Sequence, residues 1–284
     1  MSNLTQIKKI LEKYNKSPEK SLGQNFLADP IILKKTAEVV RAGQNAGVLE
    51  IGPGLGALTC ELCGLYKKVA AVEIDKTFAP VLNETLGAFD NVKIIFDDIL
   101  KVDLRALAKE EFSGCEDISV CANLPYYITT PVILKLVKSG VKFSGITVMV
   151  QKEAADKLCS KAGEALYNAA AAAISYYGEA KIMFKAPPSS FYPQPKVSSA
   201  LIKITPRAIP AAAPQNENFM FEVIKAAFGQ RRKTLVNALA SGLCLEKEKV
   251  ADIVKNCTGN ENIRGEELNI KMFADISDLL YKII

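Results

Sequence analysis

Leu4, Ile7, Leu11 and Tyr14 recur at helical spacing with lysines on the opposite face, which predicts an amphipathic helix at the start of the chain. Asp29-Pro30 then joins a helix N-cap to a proline at the first helical position. From there apolar runs alternate with helical segments. AGVLEIG predicts a buried strand, GALTCELCGL a helix and KKVAAVEID a second strand, after which Asp75 caps another helix. NVKIIFDDI and DISVCANLP predict strands three and four, Thr130-Pro131 repeats the cap-plus-proline signal, and GITVMVQ predicts a fifth strand with a helix from Lys152. Such alternation argues for a parallel sheet covered by helices.

The rhythm changes after an alanine-rich helix around residues 169–173. AKIMFKA and KVSSALIKI predict an antiparallel hairpin, joined by the proline-rich PPSSFYPQP, that closes the sheet. Residues 206–218 (PRAIPAAAPQNEN) lack apolar periodicity and predict a linker. Helical spacing returns over 219–228, 231–240, 246–255 and from Ile270 onward. The expected layout is an α/β domain over residues 1–207, carrying a basic N-terminal extension, and a small all-α domain over 208–284.

Composition narrows the chemistry. With 284 residues, 49% hydrophobic and 24% charged, the chain is ordinary for a globular protein. It contains no uninterrupted run of about 18 apolar residues, so no membrane span is expected. Lys8, Lys9, Glu12 and Lys13 leave no apolar signal core near the start, and a cytoplasmic location is expected. The net charge of +5 is mild, but it is concentrated in Lys8, Lys9, Lys13, Lys16 and Lys20 and again in QRRK (230–233). Two separate basic clusters point to a polyanionic partner. Seven cysteines without a regular framework argue against a disulfide scaffold. The absence of histidine excludes Ser-His and Cys-His hydrolases and, with only Cys60 and Cys63 closely spaced, argues against any metal site.

EIGPGLG places Gly52, Gly54 and Gly56 between a strand and a helix, at the end of a parallel sheet where ligands bind. Such a turn serves a nicotinamide cofactor, a methyl donor or only a tight bend. The spacing departs from the dinucleotide fingerprint, and Pro53 removes one amide, so a ligand without phosphates is favoured. Glu73, about 20 residues on at the end of the second strand, stands where an acid meets a ribose diol. Either Asp97 or Asp98 is placed to accept from an adenine amino group, with Ile74 packing on the ring. An acidic ribose clamp and a phosphate-poor turn suggest S-adenosylmethionine, whose electrophilic methyl needs alignment more than acid-base groups. A chain without histidine suits that chemistry.

NLPYY (123–127) closes the fourth strand with groups suited to a flat polar object. The Asn123 oxygen and a main-chain carbonyl near Pro125 are expected to accept from an exocyclic amine such as N6 of adenine, and Tyr126 to stack on the base, with Tyr127 packing inward. In the hairpin loop, flanking prolines are expected to hold Phe191 and Tyr192 out from the sheet, making Phe191 the other half of an aromatic clamp.

SLGQNFL, EIGPGLGALT, VEID, DDIL, NLPYYITTP, VQKEAADKL, FYPQPKVSSA and RRKTLVNAL, in that order and across nearly the whole chain, resemble the KsgA/RsmA family of ribosomal RNA adenine dimethyltransferases. The resemblance implies a Rossmann-like class I S-adenosylmethionine-dependent methyltransferase domain with a small helical domain. It implies N6,N6-dimethylation of two adjacent adenosines near the 3′ end of small-subunit RNA, in a partly assembled subunit, by a monomer. Carried over by motif, Asn25, Leu27, Gly52, Glu73, Asp98 and Asn123 would hold the donor. Asn123, Leu124, Pro125 and Tyr126 would face the target amine, and Phe191 would stack on the base. Arg231, Arg232 and Lys233, with the N-terminal lysines, would grip RNA phosphates, contacts that position without reading sequence.

Large-subunit RNA methyltransferases of the macrolide-resistance type share this architecture but typically show GSGKG and NIPYNIST at the two key motifs, where this chain has GPGLG and NLPYYITTP. The family's YG-x-LSV segment is replaced here by LYNAAAAAISYYG. A mainly non-catalytic assembly factor, a DNA adenine methyltransferase and a nicotinamide-dependent oxidoreductase are the other readings. The DNA enzymes usually carry an acid at the position of Asn123.

Overall fold

In the computed structural model, β2 (Gly47–Ile51) is buried along its whole length. Strands covered on both faces read as continuous apolar runs, which is why this one was legible. The model describes residues 4–19, 23–40, 43, 45–125, 127–230 and 232–284. The chain separates into two units: Met1–Ala155 with Lys181–Pro206, and Asp156–Ala180 with Arg207–Ile284. Residues 156–180, which the sequence reading places with the sheet, thus group with the helices that follow residue 206.

The first unit is built on a seven-stranded sheet ordered β4-β3-β2-β5-β6-β9-β7. Besides β2 it contains β3 (Lys68–Glu73), β4 (Val92–Phe96), β5 (Ile118–Asn123), β6 (Phe143–Gln151), β7 (Gly178–Ala186) and β9 (Ser199–Pro206). β4, β3, β2, β5 and β6 run parallel, and β9 pairs antiparallel with β6 from Ile146↔Ile204 to Gln151↔Ser199. The last strand in sequence therefore lies inside the sheet and β7 takes the edge. That edge exposes Glu179, Lys181, Met183 and Lys185 on one face, charges that discourage pairing with another chain. Strand order reverses between β2 and β5, which opens a crevice at their carboxyl ends.

Helices α1 (Leu4–Lys13), α2 (Pro30–Val40), α3 (Ala57–Cys63), α4 (Ala79–Leu86) and α6 (Thr129–Lys138) accompany these strands, and α7 (Lys152–Leu158) follows β6. Leu33 and Ala37 of α2 and Leu62 of α3 pack with Val48, Cys121 and Met149 of the sheet. A second cluster joins Ile7 and Leu11 of α1 to Val81 and Leu82 of α4. Asp29 caps α2 as expected, accepting from Ile31 N at 2.9 Å, and Asp75 caps the short 3-10 turn Lys76–Phe78 ahead of α4.

Three local readings are corrected. The helix after β5 begins at Thr129, with Ile128 rather than Thr130 at its N-cap. Helix α5 (Leu104–Glu111), capped by Asp103, was not foreseen. A two-residue ladder pairs β1 (Phe26–Leu27) with β8 (Phe191–Tyr192) where only a loop was expected.

The second unit comprises α8 (Ala169–Tyr177), α9 (Glu217–Gly229), α10 (Leu235–Leu243), α11 (Lys247–Thr258) and α12 (Ile270–Tyr281). Its core includes Ala172, Met220, Leu239, Val254, Phe273 and Ile276. The alanines of α8 are thus packing residues: small side chains let this helix be buried closely. α10 starts at Leu235 under a Thr234 cap rather than at residue 231, because Arg232 and Lys233 lie in the turn before it.

Candidate active site

A cavity of about 310 Å³ opens at the carboxyl ends of β2, β3 and β5. The glycine turn after β2 forms its floor. Gly52, Gly54 and Gly56 have φ of 74°, 57° and 83°, a region that L side chains rarely enter. A Cβ on Gly54 would approach the Phe26 ring at 3.1 Å, and one on Gly56 would meet Thr85 at 2.9 Å. The turn's amides are largely spent within the protein: Gly52 N donates to Val72 O and Gly56 N to Pro53 O, both at 2.9 Å, and Gly54 N donates to Glu73 at 3.1 Å. Few donors remain for a phosphate group, in agreement with the phosphate-poor ligand expected from Pro53.

Glu73 ends β3 in a buried position on the cavity wall. Its Oε1 accepts from Asp75 N at 2.9 Å and its Oε2 from Gly54 N. Burial raises its pKa, while these backbone donors oppose the shift by stabilising the anion. Ile74 beside it is exposed to the cavity. Asp97 and Asp98 also line the cavity; Asp97 accepts from Asp98 N at 2.7 Å and Asp98 from Leu100 N at 2.9 Å.

On the opposite wall stand Asn25, Leu27, Asn123, Leu124 and Pro125. Asn123 Nδ2 donates to the main-chain carbonyl of Asn25 at 2.9 Å, and Asn25 Nδ2 donates to Gly23 O at 3.0 Å. The Pro125 carbonyl accepts from Ile128 N and Thr129 Oγ1 at 3.2 and 3.3 Å, so the local turn already occupies it. Tyr126 lies outside the described residues. Tyr127 does not pack inward as expected: it is 61% exposed at the cavity rim.

Phe191 is likewise not held out by its prolines. It pairs with Leu27 and is 2% exposed, forming part of the cavity wall. Strand pairing satisfies its backbone, and the ring buries its area among Leu27, Leu33 and Leu58.

The residue that sequence reasoning missed is Glu50, inside β2 and 2% exposed. It lines the cavity, its Oε2 has no hydrogen-bond partner, and among the described residues the Thr59 hydroxyl beside it is the one group that favours its anion. Burial pushes the Glu50 pKa up to about 8. The signal was present in AGVLEIG as a lone charge within an apolar strand, where an unpaired carboxylate is costly. A cavity with two buried carboxyl groups, one of them with an oxygen that lacks a hydrogen bond, and little provision for phosphate suits a ligand that carries positive charge. S-adenosylmethionine fits these residues.

Of the basic residues singled out, Lys20 and Arg231 lie outside the described residues, and Arg232 and Lys233 are exposed on the α9–α10 turn. Lys8 Nζ sits 5.6 Å from the centre of the Tyr192 ring. Lys13 is paired with Glu84 at 2.7 Å. Among the described residues no three His, Cys, Asp or Glu side chains are grouped to hold a metal ion, and no helix is long and apolar enough to cross a membrane.

Residues 15–281 match the family described as ribosomal RNA adenine dimethylase. The chain belongs to that family. As a member of the ribosomal RNA adenine dimethylase family, it is an S-adenosylmethionine-dependent methyltransferase. It is 46% identical over 279 residues to the ribosomal RNA small subunit methyltransferase A of Bacillus pumilus, covering 97% of this chain and 95% of that one. It is 42% identical to the protein of the same description from Alkaliphilus oremlandii, over 99% and 98% of the two chains. Among solved structures, a dimethyladenosine transferase from Plasmodium falciparum aligns with a TM-score of 0.71 at 23% identity, over 91% of this chain and 97% of that one. The 23S rRNA methyltransferase ErmE aligns at 0.67 and 20% identity, over 90% and 99%; these two likenesses establish the fold.

Proposed function

We propose that the protein dimethylates N6 of two adjacent adenosines near the 3′ end of small-subunit ribosomal RNA, acting in the cytoplasm as a monomer on a partly assembled subunit. The observation that carries the site assignment is that Glu73, Gly52 and Asn123 share one cavity at the strand-order reversal. When bound there, S-adenosylmethionine supplies an activated methyl group.

The protein's part in this reading is alignment. Glu73 receives the ribose hydroxyls, Asp98 the adenine amino group, and Ile74 packs on the adenine ring; Asn25, Leu27, Gly52 and Gly54 shape the rest of the donor site. Asn123 has its Nδ2 committed to Asn25, so its Oδ1 is the side-chain atom left to accept from the target amine. That contact orients the amine toward the donor and favours a pyramidal nitrogen with an available lone pair. Leu124 and Pro125 complete the wall facing the amine, and the family resemblance gives Tyr126 a role toward the same amine. Phe191 backs the target base from the cavity wall, and Arg231, Arg232 and Lys233 meet RNA phosphates.

The test is transfer from labelled S-adenosylmethionine to small subunits from cells that lack the modification, with large subunits and duplex DNA in parallel. Mass spectrometry is expected to find N6,N6-dimethyladenosine in small-subunit RNA alone. Label in large-subunit RNA would assign the protein to the macrolide-resistance branch. Donor binding without transfer would favour a non-catalytic assembly role.

A further inference from the structure

Glu50 combines three features that no other carboxyl on the cavity wall shares among the described residues: it sits within a central strand, it is 2% exposed, and its Oε2 lacks a partner. Among the described residues, the Thr59 hydroxyl of α3 favours its anion and Glu73 of β3 disfavours it, while Glu50 itself acts on Cys60 and Cys63 of α3 and Cys121 of β5. None of them is a cation. Cys63 and Cys121 are themselves pushed toward the neutral thiol by burial, and Glu73 repels a second negative charge. A carboxylate in such surroundings loses hydration without gaining a counter-charge, so the neutral acid is the stable form. Because Glu50 lines the cavity, a cation bound there can reach it as a counter-charge.

We propose that Glu50 is protonated in the empty enzyme and gives up its proton as the cationic methyl donor enters, so that donor binding is coupled to proton release. This inference rests on the cavity being the donor site. The balance is simple: the Glu50 O–H bond breaks, the proton passes to solvent, and the donor's positive charge replaces it as the partner of the carboxylate. Glu73 does not duplicate this role, because two backbone amides already stabilise its anion. Glu50 thereby selects for ligand charge rather than shape, since a neutral ligand of the same outline gains nothing from the exchange.

The test is calorimetric titration with S-adenosylmethionine between pH 6 and pH 9, in buffers of different ionisation enthalpy. At pH 7 the wild type is expected to release nearly one proton per donor bound, with affinity rising toward tenfold per pH unit and levelling off above about pH 8. Glu50→Gln, which mimics the neutral acid, should bind the donor without that release. The donor's own titration is common to both proteins, so the difference isolates Glu50. Buffer-independent heats in the wild type, or equal proton release in Glu50→Gln, would overturn this inference and leave the methyltransferase assignment standing. Failure of the donor to bind at any pH would overturn the site assignment with it.

Discussion

Asn123 and Asn25 are joined by a side-chain-to-main-chain hydrogen bond of 2.9 Å across 98 residues of sequence. The bond fixes which end of the Asn123 amide points away from the β1 segment. Gly23 supports it from below: its φ is 60°, and a Cβ there would lie 3.3 Å from Pro125 Cβ. The chain ahead of β1 therefore acts as a brace for the turn that ends β5.

Gly23→Ala should strain that brace, since a left-handed alanine costs about 1–2 kcal/mol and its methyl group presses on Pro125. Turnover is expected to fall roughly tenfold, in keeping with the sensitivity of transfer to small displacements. Donor affinity should change less. Single-turnover rates and equilibrium titration would separate the two.

Asn123→Ala removes both the brace contact and the proposed acceptor. We expect turnover to drop by ~10²–10³, the scale for losing one positioned hydrogen-bonding group at a reacting centre. Donor binding should shift far less, which equilibrium dialysis would register.

Replacing Glu73 by alanine leaves the amides of Gly54 and Asp75 without their acceptor and removes the ribose partner. Donor affinity should weaken roughly ten- to a hundredfold, as expected for a hydrogen bond to a charged group. Equal affinity in the variant and the wild type would contradict the ribose assignment.

The burial of Glu50 also has a signature in the absence of donor. Its folded-state pKa of about 8 lies above the unfolded value of 4.5. As pH rises through that window, the unfolded chain ionises first and the wild type loses stability, on the order of 1 kcal/mol per pH unit. Glu50→Gln escapes this penalty. Its melting temperature should exceed that of the wild type clearly at pH 8 and hardly at pH 5.

Asn168 caps α8 by accepting from Ala170 N and Ala171 N, while its Nδ2 donates to Lys157 O and Leu166 O. Asn168→Ala breaks all four bonds at once. A cost of about 2 kcal/mol, at the upper end for caps, is expected in urea unfolding, with donor binding unchanged.

β2, β3, β5 and β6 were legible because they are buried along most of their length and read as largely apolar runs between turn residues, whereas the edge strand β4 is only half-buried. Glu73 was legible from its position at a strand end, and Asn123 from an amide placed where a turn residue is usual. α5 was not legible although Asp103 and the spacing of Leu104 and Leu107 mark it, because its eight residues bury only two apolar side chains, Leu104 and Leu107. Phe191 and Tyr127 exchanged expected environments because composition does not show that residues 26–27 pair with 191–192. Grouping of residues 156–180 with the C-terminal helices was equally hidden, because alanines carry little amphipathic signal and their partners come more than 40 residues later.

That grouping bears on how the protein can be made and cut. The helical unit is discontinuous, with residues 181–206 of the sheet unit between its two parts. On the ribosome, the segment 156–180 emerges long before the helices that bury Ala172 and Tyr176, and it must wait with those surfaces uncovered. A stop after residue 206 would preserve every strand yet leave that segment without its partners. Removing the second unit cleanly requires three cuts, after residues 155, 180 and 206.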